Sequence, residues 1–198
     1  MTIVVSIFAL ILSLTFGTLA ALGNHSKSYF FHYLSKFYVE LIRGTPLLVQ
    51  IVFFYYIIGT AFQIENKIIG GVIILSTFSG AYVSEIIRAG IESIENSQLE
   101  TARALGLNHR QIYRLIIYPQ VIRRVLPPLA GQFASIIKDS SLLSFIAVRE
   151  FTKVTFEVTA INFATFESYA LLAVGYLLLT LPISLWTKRL ERRFYYES

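Results

Sequence analysis

The chain has 198 residues, no cysteine and a formal net charge of +5. Hydrophobic residues make up 55% and charged residues 15%, against roughly 25% charged in ordinary soluble chains, and mean hydropathy is +0.63. An ordinary soluble domain is thereby excluded, as are disulfides and thiolate sites; three scattered histidines, His25, His32 and His109, do not make a zinc centre, so no metal site is expected.

The length suits one domain, 1–198. Apolar stretches of about 20 residues predict five membrane-spanning helices at about 2–23, 46–64, 68–91, 121–148 and 168–187. The first has the alternative of a cleaved signal peptide, but hydrophobicity begins at residue 2 with no basic region before it, which favours an uncleaved helix. Pro46 suits the start of the second helix. Glu40, Arg43, Glu85 and Arg88 fall near the cytoplasmic ends of the second and third spans. Glu85 and Arg88 stand three apart and can pair, and a network joining them to Glu40 and Arg43 reads either as an inner gate or as structural pairing.

The segment 96–119 separates the third span from the fourth and contains "LETARALGLNHRQIYRLIIYP". Ser97 and Glu100 have capping-box spacing, Gly106 suits a left-handed helix stop, and Asn108 with Gln111 predicts a second capped helix, ended by Pro119. This is a helix-turn-helix pattern. A DNA reader needs a supporting helical core from flanking sequence, and both flanks here enter the membrane, so no nucleic acid is expected. The apolar set Ile112, Leu115 and Ile116 asks instead for a protein groove or the bilayer interface.

The fourth span is interrupted by Lys138 and Asp139, followed by Ser140 and Ser141. Ionisable groups inside a membrane are costly and mark function by default. Adjacent helical residues point about 100° apart, so these two do not face each other; either they flank a solute route, meeting an amino acid's carboxylate and ammonium, or they make salt bridges to other helices. Residues 149–167 read as an external loop holding a short surface helix. Lysines and arginines set the orientation. Thirteen lie on one side (Lys27, Lys36, Arg43; Arg88, Arg103, Arg110, Arg114, Arg123, Arg124; Lys188, Arg189, Arg192, Arg193) and three on the other (Lys67, Arg149, Lys153), which puts the N-terminus outside and the C-terminus in the cytoplasm.

The stretch from Glu100 to Pro119 resembles the EAA loop of ABC-transporter permeases: Glu-Ala-Ala, three residues, Gly, nine residues, Ile, one residue, Leu-Pro. Glu100, Ala102, Gly106, Ile116 and Pro119 match it; Thr101 and Tyr118 depart from it. "ELIRGTPLLVQIVFFYY", "SGAYVSEIIRAGIESI" and "LPPLAGQFASIIKDSSLLSFIAV" resemble the polar amino-acid branch of the same family. Members usually carry a further segment before the first span. The resemblance implies an all-α permease subunit of a binding-protein-dependent importer in the bacterial inner membrane. It implies a second permease copy or a related permease, separate ATPase subunits that hold ATP and Mg, an external solute-binding protein, an amino-acid substrate and surrounding membrane lipid. Glu100, Thr101, Ala102, Gly106, Ile116 and Pro119 would contact the ATPase. The chain has no G-x-x-x-x-G-K-[ST] loop, so no catalytic residue or cofactor is expected within it. An ion-coupled carrier and a non-transporting scaffold are the alternatives; no internal repeat supports the former.

Overall fold

The structure, a computed structural model, describes residues 1–63 and 66–195. It is all-helical over those residues: α1 (Thr2–Asn24), α2 (Tyr29–Arg43), α3 (Leu47–Phe53) with a π-helical extension (Phe54–Gly59), α4 (Lys67–Glu92), α5 (Asn96–Ala104), α6 (His109–Ile112), a π segment (Tyr113–Ile117), α7 (Tyr118–Asp139), a 3-10 helix (Ser140–Ile146), α8 (Phe151–Asn162) and α9 (Thr165–Tyr195). Among the described residues α1, α4 and α9 are long and apolar enough to cross a membrane, and the bent pair α2–α3 makes a fourth if counted as one span. Ile64, the last residue of the expected second span, lies outside the described residues, as do the final three residues of the chain.

The frame is the packing of α1 along α4. The buried face of α1 carries Thr2, Val5, Ser6, Ala9, Ser13, Gly17, Ala20 and Ala21, an i, i+3, i+4 stripe of mostly small residues, while Ile7, Phe8, Ile11 and Leu19 point outward. Small residues let two helix backbones approach closely in a medium where hydrophobicity alone does not drive association. At Gly17 the two helices are in close contact: an added Cβ would lie 2.5 Å from Val83 Cβ and 2.8 Å from the Gly80 carbonyl oxygen. Around this pair Ile51 of α3, Ile136 of α7 and Leu143 and Ile146 of the 3-10 helix close a core.

α2 is an addition to the predicted elements. It is strongly amphipathic, and its axis meets that of the following helix at 107°. Gln50, buried at 5% exposure, holds the corner: its Nε2 donates to the Ile42 carbonyl oxygen (2.8 Å) and to Thr45 Oγ1 (2.7 Å). The side chain thus satisfies an end-of-helix carbonyl of α2 from the first turn of α3. Gln50→Leu keeps the volume but strips the donor, and is expected to cost about 1–3 kcal/mol, read as a lowered unfolding midpoint in detergent.

Two local readings are corrected. The Ser97–Glu100 capping box does not form: α5 begins at Asn96 with Glu95 as its N-cap, and Ser97 Oγ donates to Glu95 Oε2 instead (3.2 Å). Pro119 does not end the second helix of the turn. The π segment shifts the register so that the Tyr118 N–H donates to the Tyr113 carbonyl, and Pro119 follows in the first turn of α7, where a missing N–H is tolerated. The backbone therefore runs helically from His109 to Asp139.

A short helix, α8, is present in the expected stretch, between the 3-10 helix and α9. Its N-cap, Glu150, is 1% exposed, and its carboxylate accepts from the backbone N–H groups of Thr152 (2.8 Å) and Lys153 (2.7 Å) and from the Tyr176 hydroxyl of α9 (2.9 Å).

Candidate functional site

The segment after α4 is built as a rigid turn. Gly106 has φ +77°, and two bonds close the end of α5: Leu107 N–H to the Ala102 carbonyl (3.1 Å) and Gly106 N–H to the Arg103 carbonyl (3.0 Å). This is the Schellman pattern, which a residue with a Cβ enters only under strain. Asn108 then forms the expected reciprocal box with Gln111, at 2.9 and 3.0 Å. Gln120 Nε2 donates to Gln98 Oε1 (2.8 Å), tying α7 back to α5, and the Arg124 guanidinium donates to the Ser93 carbonyl at the end of α4.

The six residues expected at the coupling loop divide into two groups. Glu100, Thr101, Gly106 and Pro119 are exposed; Ala102, 2% exposed, packs inward and Ile116 is half-buried. The small side chain of Ala102 thus serves the turn's own packing. Leu105, 76% exposed beside Gly106, went unnoticed in the sequence. Its signal is an apolar residue at a helix stop, where nothing within the turn buries it. Beyond Gly106 a hollow of about 510 Å3 is lined by Asn108, Arg110, Gln111, Arg114 and Leu115.

The expected ion-pair residues are partly joined. Arg43 of α2 reaches Glu85 of α4 at 3.0 Å, and Arg88 grips both Glu85 oxygens with Nε and Nη2 at 2.9 and 3.0 Å while its third nitrogen, Nη1, reaches Glu92. The Arg43 guanidinium also lies 5.5 Å from the centre of the Tyr82 ring. Glu40 stands outside this network and pairs with Lys36 at 3.8 Å, although both line the same cleft of about 480 Å3. Glu92 and Tyr82 are the members missed in the sequence; Glu92 is i+4 from Arg88 and legible by spacing alone.

Lys138 and Asp139 close α7 immediately before the helix tightens to 3-10 geometry. Lys138 is exposed and Asp139 half-buried, and neither has an ion-pair or hydrogen-bond partner among the described residues. Ser140, fully buried, donates to the Ile137 carbonyl (2.7 Å), and Ser141 is half-buried.

The model of the binding-protein-dependent transport system inner membrane component family matches residues 13–196. The chain belongs to this family. Among relatives, the permease is 36% identical over 195 residues to the glutamine transport system permease protein GlnP of Escherichia coli, covering 98% of this chain and 89% of that protein. It is 33% identical over 192 residues to the probable glutamine ABC transporter permease protein GlnM of Bacillus subtilis, covering 97% and 89%. Among solved structures, an amino acid ABC transporter crystallised with histidines superposes with a TM-score of 0.91 at 34% identity, covering 98% of this chain and 90% of that one. The inward-facing MetNI methionine ABC transporter gives a TM-score of 0.74 at 15% identity over the same shares, a likeness of fold. The permease is a membrane component of a transport system, and this family is the non-catalytic part of such systems.

Proposed function

We propose that the permease forms the translocation path of an ATP-driven importer for polar amino acids and is moved by a separate ATPase through the 96–119 turn. The observation that carries this is the Gly106 turn. A stiff, exposed helix-turn-helix joins α4 to the helical run from His109 to Asp139, so a push on the turn is delivered along α7. The glutamine permeases among the relatives make glutamine the first substrate to try. In this reading the chain spans the bilayer five times, with α7 and the 3-10 helix as the fourth span. The N-terminus lies outside and the C-terminus in the cytoplasm. Exposed Glu100 and Thr101 with Gly106 and Pro119 meet the ATPase, Ala102 and Ile116 hold the turn in shape, and Glu40, Arg43, Glu85 and Arg88 border the inner mouth.

Lys138, Asp139, Ser140 and Ser141 flank the solute route. Asp139→Asn is expected to lower uptake about tenfold, equivalent to about 1.4 kcal/mol, with ATPase association intact; unchanged uptake removes Asp139 from the route. The proposal as a whole is tested by reconstituting the permease with its ATPase and external binding protein in proteoliposomes and measuring accumulation of labelled glutamine and other polar amino acids. ATP-dependent accumulation is the expected result. Uptake driven by an ion gradient without the ATPase would make the chain a secondary carrier, and association without any uptake would make it a scaffold.

A further inference from the structure

We infer that α2 lies in the plane of the membrane and seats its outer face in the anionic headgroup layer of the cytoplasmic leaflet. Three sectors run along this helix. Phe30, Tyr33, Leu34, Phe37 and Leu41, at i, i+3, i+4, i+7, i+11, form an exposed apolar arc of about 100°. Ser35, Tyr38, Val39 and Ile42 form the packing arc: Val39 and Ile42 are buried, and the Tyr38 hydroxyl donates to the Thr77 carbonyl of α4 at 2.6 Å. Ser35 and Tyr38 also fit against glycines of the neighbouring helices: an added Cβ on Gly23 would meet Ser35 Oγ, and one on Gly80 would lie 2.8 Å from the Tyr38 hydroxyl. His32, Lys36, Glu40 and Arg43 form the charged arc.

The setting fixes the direction of the helix. α3 runs beside α4, since Gln50, Phe54, Tyr55 and Gly59 line one small cavity with Gly70, Ile73, Ile74 and Thr77. The 107° corner after α2 therefore turns α2 across the direction of the spans. Its charged arc shares a cleft with Asn24 at the end of α1 and with Glu92 at the end of α4, which places it at the C-terminal ends of both, the cytoplasmic ends in the orientation proposed above, on which this inference rests. An amphipathic helix held crosswise at that level, with aromatic side chains outward, has the form of an interfacial helix. The charge identifies the lipid. In the cleft Lys36, Arg43 and Arg88 are balanced by Glu40, Glu85 and Glu92, so the surplus positive charge of the segment is Lys27, exposed just before the helix, and a basic residue beside an apolar arc is drawn to an anionic surface. Because Arg43 also binds Glu85, the leaflet would be linked through α2 to the ion cluster at the end of α4, four residues from α5.

The test uses the permease–ATPase complex in nanodiscs, in a Trp186→Phe background that removes the single native tryptophan. With brominated acyl chains, Phe37→Trp is expected to be quenched at least threefold more strongly than Glu40→Trp. Equal quenching, or efficient cross-linking of Phe37→Cys between two copies of the chain, would assign the face to a protein partner and overturn the proposal. Replacing part of the phosphatidylcholine by phosphatidylglycerol is expected to raise the unfolding midpoint of the unmodified complex by several degrees, and that of the Lys27→Gln, Lys36→Gln variant by less than half as much. The same rise in both would overturn the anionic preference.

Discussion

Gly106→Trp is expected to abolish ATP-driven uptake and ATPase co-purification while leaving the permease folded. Two properties of Gly106 separate these outcomes. Its φ of +77° penalises any side chain, and for an alanine that penalty is about 1–2 kcal/mol. The space around it is open, with nothing of this chain within 4 Å of an added Cβ. A large side chain therefore meets no internal clash, and what it obstructs is whatever docks on the exposed turn. Gly106→Ala supplies the control: it carries the backbone strain with little bulk, and should retain most ATPase binding with a slightly lowered unfolding midpoint. If the tryptophan variant retained ATPase binding and uptake, the turn would not be the docking element. If alanine and tryptophan failed equally, backbone strain rather than bulk would be the cause.

Gly17→Val is expected to have the largest effect on the fold, sharply reducing the amount of folded permease in the membrane. Here the added atoms meet Val83 Cβ and Cγ1 at 2.5 Å and the Gly80 carbonyl oxygen at 2.8 Å. Overpacking a close-packed interior costs about 1–3 kcal/mol where side chains can shift; here one obstacle is backbone, and α1 must move away from α4 over its length. Pairing Gly17→Ala with Val83→Ala tests the geometry. The double variant should stay impaired, because alanine at 83 keeps its Cβ and the Gly80 oxygen is unaffected. Recovery to the level of the unmodified chain, read by size-exclusion profile and unfolding midpoint, would show that the two helices are separable at this point.

How far the sequence carries depends on what each feature requires. Runs such as Thr2–Asn24 and Ser168–Thr187 declare helices through hydropathy alone, and α1 and α9 contain them. The Gly106 stop and the Asn108–Gln111 box are local chemistry complete within a few residues, so spacing suffices. The failures are competitions. Ser97 had Glu95 as a nearer partner than the box geometry. Pro119 reads as a stop unless the π register before it is known, and that register has no side-chain signature. Glu40 is held by Lys36 on its own helix. The charges of 27–43 make the stretch look like a loop, while its threefold division into arcs appears only when the helix is laid against α1 and α4. Glu150 reads as one more loop carboxylate, because its burial depends on Tyr176, twenty-six residues away.

That buried carboxylate has a mechanical consequence. Glu150 spends its oxygens on two amides of α8 and the phenol of α9, and Phe151 N–H in turn donates to Thr2 Oγ1 at the start of α1 (3.0 Å). Separating these elements would leave the oxygens of a buried carboxylate without partners, a loss that costs more than a single hydrogen bond contributes. α1 at Thr2 and α9 at Tyr176 are therefore both tied to the start of α8 through two neighbouring residues, Phe151 and Glu150, so a load applied to α8 is passed to both of the helices it joins.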